Sequence, residues 1–315
     1  MANEYHRPAL FDEVMEGLAL KEGGVYVDAT VGGGGHSRGI ADRIGPSGTV
    51  IGIDRDIDAL TEAEKTLSGA PAQFLTVNAP FDEIGEILPR LGCAPVDGVL
   101  YDLGVSSHQL DDAGRGFTFR SESAPLDMRM SQFEDTPTAA DLLNTLSKEE
   151  LTVIFRDNAD ERWGARIAQF VCERRKEAPF VTAGQLVDVV KAAIPAAARS
   201  KDINPATKAF QALRIAVNDE FERIRASLNS VVDLLRSDGR ILVISWHSGE
   251  DRIVKQTFAE LSGKCACPPE APVCVCRARK PAIELLTKKP IVPSSSEISE
   301  NPRARSAKLR IVRKI

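Results

Sequence analysis

The sequence predicts an α/β protein built on an open parallel sheet and interrupted once by an all-helical insertion. Three observations predict it. Between residues 25 and 103, strand-like apolar runs alternate with helical stretches, the pattern of βαβ units. Each of these runs ends in or contains a polar residue, Asp28, Asp54, Asn78 and Asp102, and in an open parallel sheet such ends line one ligand-binding edge. From about residue 137 to 193 every segment is helical, and strand character returns only at Ile241-Leu242-Val243-Ile244-Ser245-Trp246. The expected division is a discontinuous sheet domain, residues 1–112 and 204–315, around a loop plus helical insertion at 113–203.

The elements follow in order. Val25-Tyr26-Val27-Asp28-Ala29-Thr30-Val31 is the first strand, emptying into Gly32-Gly33-Gly34-Gly35 and a short helix from about Ser37 to Ile44. A Gly45-Pro46-Ser47-Gly48 turn leads to the second strand, ending at Asp54, and a helix from about Asp56 to Leu67. Gln73 to Val77 is the third strand, stopping at Asn78, and Val96 to Leu103 the fourth. From about Gly104 to Met130 the pattern breaks into irregular chain, and a stretch that long inside a compact domain usually serves function. Helices are expected at Thr138–Leu146, Lys148–Phe155, Glu161–Arg175 and Ala183–Ile194. Phe210, Leu213, Val217, Phe221, Ile224 and Leu228 then mark one long amphipathic helix from Asn204 to Arg236. Alternation in Ala307-Lys308-Leu309-Arg310-Ile311-Val312-Arg313 makes the basic terminus an ordered strand.

With 315 residues, 43% of them hydrophobic, the chain can bury one large core plus a smaller attached one. The start lacks a basic segment followed by an apolar one, and no apolar stretch approaches the ~18 residues of a membrane span, so a cytoplasmic location without membrane association is expected. Six cysteines, four of them in one short segment, fit a reducing compartment better than a disulfide scaffold. The net charge of −5 is unevenly spread: residues 280–315 carry nine Lys or Arg against three Glu, leaving −11 on the remainder. A basic strip on an acidic body suits phosphate binding; a solvated tail is the plainer alternative.

The glycine run is the signature of a nucleotide-derived cofactor. Glycines remove the Cβ atoms where strand becomes helix, so that a ligand can lie against bare backbone, and Asp54 can take both ribose hydroxyls. The dinucleotide pattern G-x-G-x-x-G fails in either register, because the third glycine would fall at Ser37 or Arg38. That favours S-adenosylmethionine, which carries ribose and adenine without a pyrophosphate. A glycine-rich turn with no ligand is the alternative.

Six collinear motifs resemble the bacterial 16S ribosomal RNA N4-cytosine methyltransferases. They are Gly33-Gly34-Gly35-His36-Ser37, Asp102 to Asp111, Pro125 to Met130, Ala206 to Ile215, Ser245 to Arg252 and Asn301 to Ser306, spanning a resemblance from about Tyr5 to Lys314. Three positions depart from the pattern: His108 stands where many members have Pro, and Trp246 and Gly249 replace the commoner Phe and Leu. The resemblance implies a class I, Rossmann-like S-adenosylmethionine-dependent methyltransferase with an all-helical insertion that recognises RNA. Its acceptor would be the decoding-centre cytosine at position 1402, and its partner 16S ribosomal RNA or the small ribosomal subunit. No protein partner is identifiable. Carried over by position, donor contacts fall on Gly34, Gly35, His36, Asp54, Phe81, Asp102 and Gln109.

Methyl transfer needs the acceptor nitrogen held in line with the activated methyl, and needs no metal. Cytosine N4 becomes nucleophilic as it pyramidalises, which a hydrogen-bond acceptor on N4–H favours. Asp102 is the first candidate for that catalytic role, with donor binding alone as the equal alternative. His36 contacts the donor or is a packed residue; Phe81 covers adenine or belongs to the core; His247 reaches the base or is a strand-end His bonded to backbone. Asp127, Arg129, Lys208 and Arg214 suit an RNA-facing wall, although structural ion pairs explain them as well; Arg303 and Arg305 are the stronger RNA candidates. Cys265, Cys267, Cys274 and Cys276 could hold a structural zinc or remain thiols, while Cys93 and Cys172 belong to the core. Two rival functions remain: a C5-cytosine RNA methyltransferase with a thiolate nucleophile, and a non-catalytic RNA-binding ribosome assembly factor.

Overall fold

The computed structural model describes residues 8–104, 112–119, 121–131, 136–200, 203–264 and 280–315. The chain forms two compact units, Met1–Gly104 with Glu222–Ile315, and Val105–Phe221.

The first unit is built on a seven-stranded sheet of order β3-β2-β1-β4-β5-β7-β6. Its strands are β1 (Val25–Asp28), β2 (Thr49–Asp54), β3 (Gln73–Asn78), β4 (Val96–Asp102), β5 (Leu235–Ser245), β6 (Ile283–Leu285) and β7 (Lys308–Lys314). β1 to β5 run parallel; β7 is antiparallel to β5 and to β6. β1, β2 and β4 are buried almost without interruption, because a parallel sheet is covered on both faces and an apolar run, rather than an alternating one, satisfies it. Helices α1 (Phe11–Gly17), α2 (Gly35–Ile44), α3 (Ile57–Thr66) and α4 (Ile84–Arg90) accompany the first strands. Leu10, Val14, Ile40 and Ile44 pack with Tyr26, Val50, Leu100, Leu242 and Leu309 in one core cluster. The strand order reverses between β1 and β4, and the carboxyl ends at such a reversal are where an open α/β sheet makes a crevice.

The basic terminus is an ordered strand, as its pattern predicts, but the burial does not alternate. Leu309, Arg310, Ile311 and Val312 are all buried, since β7 lies inside the sheet between β5 and β6. The cost of burying Arg310 is met by α11 (Ser248–Leu261), whose Asp251 accepts its guanidinium at 2.7 and 3.1 Å.

The second unit is helical: α5 (Ala139–Thr145), α6 (Lys148–Ala159), α7 (Gly164–Arg174), α8 (Ala183–Ala193) and α9 (Thr207–Asn218). Three of these begin with reciprocal capping boxes, Thr138 with Asp141, Ser147 with Glu150 and Thr182 with Gln185, each satisfying otherwise orphaned backbone N–H groups. Leu143, Leu151, Phe155, Ile167, Phe180, Leu186, Phe210 and Leu213 form its core. The expected single helix from Asn204 to Arg236 is two. Asp219 adopts a left-handed conformation (φ 50°) that separates α9 from α10 (Glu220–Val231). Asn218 explains the break: its side chain accepts from Met130 N (2.8 Å) and donates to Met128 O (2.7 Å) and Arg214 O (2.8 Å), tying the helix end to the 126–130 loop. Apolar periodicity continues across the break and so conceals it. Phe210 and Leu213 also put α9 in the helical core, so the chain re-enters the sheet unit at Glu222 rather than at 204. Among the described residues no helix is long and apolar enough to cross a membrane.

Candidate active site

Three carboxylates stand at the carboxyl ends of β1, β2 and β4. Asp28 is buried; its Oδ2 accepts from Ser37 Oγ at 2.7 Å, while its Oδ1 has no hydrogen-bond partner. Burial pushes its pKa up to about 6, against the Ser37 hydrogen bond and with a smaller push from Asp54. Asp54 closes the glycine turn: its Oδ2 accepts from Gly32 N at 3.0 Å and its Oδ1 from Asp56 N at 2.9 Å. Burial raises it, too, to about 6. Asn78, at the end of β3, donates from Nδ2 to Asp54 O at 3.1 Å.

Asp102 is the most perturbed of the three. Burial first, then the like charges of Asp28 and Glu250, raise it to about 7, opposed by a hydrogen bond from Trp246 Nε1 to Oδ1 at 3.0 Å. Its backbone N–H donates to Thr30 Oγ1 at 2.6 Å, fixing the strand end. Its Oδ2 lies 3.8 Å from Nδ1 of the buried His36. His36 Nε2 donates to Ala9 O at 3.0 Å, and the ring stacks on Phe11 with centroids 6.2 Å apart, so the imidazole is packed against α1 and its other nitrogen faces Asp102.

The glycine turn works differently from the sequence expectation. A Cβ on Gly34 would meet Leu67 and Ala63 of the α3 region at 2.8 and 3.0 Å, and one on Gly35 would meet Pro8 at 2.5 Å. These two positions lack side chains because the protein itself packs there, and Gly34 also holds φ 80° as the residue before α2. Gly32 has open space: a Cβ there would have Thr30 O as its near neighbour, at 3.9 Å. An open turn, an unpartnered buried carboxylate oxygen on Asp28 and two further acidic strand ends fit a ligand that carries hydroxyls and positive charge.

Phe81 is half-buried just after β3, edge-on to Tyr101 at 5.9 Å, and its carbonyl accepts from Ser227 Oγ at 2.8 Å. His247 caps α11: Nδ1 accepts from Glu250 N at 3.3 Å and Nε2 lies 3.1 Å from Glu250 Oε1. Its polar atoms are therefore engaged with the start of its own helix. Arg303 and Arg305 are exposed in the short helical turn Pro302–Ser306 that leads into β7.

Four candidates lie in the helical unit, each with a protein partner. Asp127 and Arg129 pair at 2.8 and 3.0 Å, and the guanidinium holds the Asp127 carboxyl below the usual carboxylate range although burial opposes it. Lys208 Nζ donates to Asp160 O at 2.9 Å, and Arg214 forms a two-pronged pair with Glu220 at 2.7 Å for each hydrogen bond. Gln109 and the cluster of Cys265, Cys267, Cys274 and Cys276 lie outside the described residues. Cys172 packs partly buried against the helical core; Cys93 is half-buried in the turn before β4, at the sheet edge opposite the carboxylates, where its thiol donates to Leu91 O at 3.5 Å.

Sequence reasoning missed Trp246 and Glu250 as neighbours of Asp102. Both fall in a motif already singled out, Ser245 to Arg252, yet nothing local joins it to a strand end 144 residues away.

Comparison with known proteins gives one consistent result. The MraW methylase family model matches residues 3–315. The chain is 47% identical over 311 residues to a ribosomal RNA small subunit methyltransferase H of Symbiobacterium thermophilum, covering 99% of this chain and 97% of that one. It is 49% identical over 310 residues to the protein of the same name from Geobacter sulfurreducens, covering 98% and 99%. A third, from Heliobacterium modesticaldum, is 48% identical over 312 residues, 99% of each chain. Matched over nearly all its length and carrying its acidic strand ends on a seven-stranded Rossmann-like sheet, the chain belongs to the MraW methylase family and is a class I methyltransferase that uses S-adenosylmethionine.

Proposed function

We propose that the protein methylates the exocyclic N4 of a decoding-centre cytosine, position 1402 of 16S ribosomal RNA, with the RNA or the small ribosomal subunit as its partner. The name shared by its relatives, ribosomal RNA small subunit methyltransferase H, supports the substrate class. The observation that carries the reaction is Asp102, a carboxylate at the switch-point strand end with one oxygen fixed by Trp246 and a pKa raised to about 7.

The bound donor supplies an activated sulfonium methyl. Asp54 takes its ribose hydroxyls, using lone pairs left after Gly32 N and Asp56 N. Phe81 flanks the adenine, the turn around Gly34, Gly35 and His36 borders the remainder, and Gln109 adds an amide contact. Asp102, ionised, accepts a hydrogen bond from N4–H and draws the nitrogen towards the pyramidal geometry in which its lone pair can attack. A group with a pKa near the working pH suits this task, since it is ionised yet still basic. The helical unit, through Asp127, Arg129, Lys208 and Arg214, together with His247, Arg303 and Arg305, contacts the RNA.

Two rivals predict different outcomes. A C5-cytosine methyltransferase needs a thiolate at the carboxyl edge of the sheet; among the described residues, Cys93 precedes β4 and Cys172 sits on α7. An assembly factor makes no product. Mass mapping of nucleosides in small-subunit RNA treated with the protein and donor separates all three: N4-methylcytidine is expected, 5-methylcytidine would establish the first rival, and unmodified RNA with retained binding the second.

A further inference from the structure

Trp246 is the side chain that hydrogen-bonds the Asp102 carboxylate from across the sheet. It directly follows β5 and packs against the sheet core with Leu242, Ile244 and Leu309. Its backbone N–H donates to Glu250 Oε2 at 2.7 Å, and Glu250 is fully buried at the start of α11. Its indole edge lies beside Gly104, where a Cβ would come within 3.3 Å of Cδ1. Held on three sides, the indole directs Nε1–H at Asp102 Oδ1 at 3.0 Å. We propose that Trp246 is a positioning residue, which through this hydrogen bond keeps Asp102 ionised and fixes one of its oxygens so that the other is presented to the reacting amine.

The physical reason is the imbalance around Asp102. Among the described residues, the groups that face it are Asp28 from β1, His36 from α2, Glu250 from α11 and Trp246, the residue after β5. Asp28 and Glu250 add to burial in favouring the proton. His36, with Nε2 committed to Ala9 O, stands 3.8 Å away and makes no hydrogen bond of good length to the carboxylate. Among the described residues the indole N–H is therefore the donor that selects the charged form, because a hydrogen bond to an ionised acceptor is stronger than one to a neutral acceptor. Phe at this position would keep a ring and lose the donor.

The inference rests on the reading of Asp102 as the N4–H acceptor, and its test is separable from that reading. In protein labelled with 13C at aspartate carboxyls, the Asp102 resonance is assigned by its loss in Asp102→Asn and titrated without donor or RNA. In Trp246→Phe the Asp102 pKa should rise by about one unit, a tenfold gain in proton affinity, while that of Asp54 stays put. If Trp246→Phe fails to fold, 3-benzothienyl-alanine at 246 keeps the bicyclic shape, replaces N–H with sulfur, and should give the same shift. In the transfer assay, kcat of the variant should fall about tenfold below the shifted pKa and recover as pH rises, with KM for the donor little changed; a packing role alone would lower kcat equally at every pH. An unshifted Asp102 titration in either protein overturns the proposal. Full turnover by Asp102→Asn would instead overturn the acceptor reading and leave the titration as the measure of what Trp246 does.

Discussion

At the scale of the residue, the proposed role of Asp102 sets activity and stability against each other. If Asp102 accepts from N4–H as proposed, activity requires the carboxylate and turnover should climb as pH rises through about 7, the value to which burial raises it. Asp102→Asn should lower kcat by about 10²-fold or more, the scale for losing an acid–base group, with little change in donor affinity measured by calorimetry. Equal losses in both would assign Asp102 to donor binding alone. Stability runs the other way. Because the folded pKa lies above the unfolded one, the folded state holds the proton more tightly, and stability is lost as pH rises from about 4 to about 7. Asp102→Asn should therefore melt higher than the wild type at pH 8, by the equivalent of about 1–2 kcal/mol, with the difference vanishing near pH 4. The glycine turn offers a second contrast. Gly34→Ala forces a Cβ into Leu67 and Ala63 at φ 80° and should lower the melting temperature sharply, whereas Gly32→Ala meets open space and costs about 1 kcal/mol of backbone strain. If both glycines proved equally tolerant of Ala, the packing account of Gly34 would be wrong.

At the scale of the element, two junctions decide how the chain is held. Asn218 at the end of α9 satisfies Met130 N and Met128 O inside the helical unit, and Asn218→Ala would leave both without that partner. A loss of about 3 kcal/mol in denaturant unfolding is expected, with faster hydrogen exchange at Met130; unchanged exchange there would remove Asn218 from the loop's support. The other junction is β7 on α11. Arg310→Ala would strand Asp251 and should cost about 3 kcal/mol, while Arg305→Ala, five residues earlier but exposed, should stay within about 0.5 kcal/mol of wild type by thermal melt. Period-two patterning made this basic segment legible as a strand. It could not reveal that Arg310 faces inward to an acid, because charge alone says nothing of depth in the sheet.

At the scale of the whole molecule, the basic segment divides its labour. Arg310, Arg313 and Lys314 bind acidic side chains or carbonyls of the sheet unit: Asp251; Asp238 and Glu284; and the carbonyls of Asp233 and Leu235. On the proposed RNA-docking reading, phosphate binding is expected of the exposed Arg303 and Arg305 and of the half-buried Lys308. Replacing these three by Ala, with Arg310 kept, should flatten the salt dependence of RNA affinity while the melting temperature holds. The log–log slope should fall by about 0.9 for every duplex phosphate no longer neutralised, or about 0.7 for single strands. An unchanged slope would end the RNA-docking reading of this segment. The sequence by itself determined the alternation of strands and helices, the acidic strand ends, the glycine turn and the strand character of the terminus, because each is a local or periodic property of the chain. Only the tertiary structure decided that Gly34 and Gly35 leave room for α3 and Pro8 to approach, that apolar periodicity hides a break at Asp219, and that Trp246 hydrogen-bonds Asp102 across 144 residues of sequence. Those are contacts between segments distant in the chain, fixed by strand order and packing, and no periodicity within one segment encodes them.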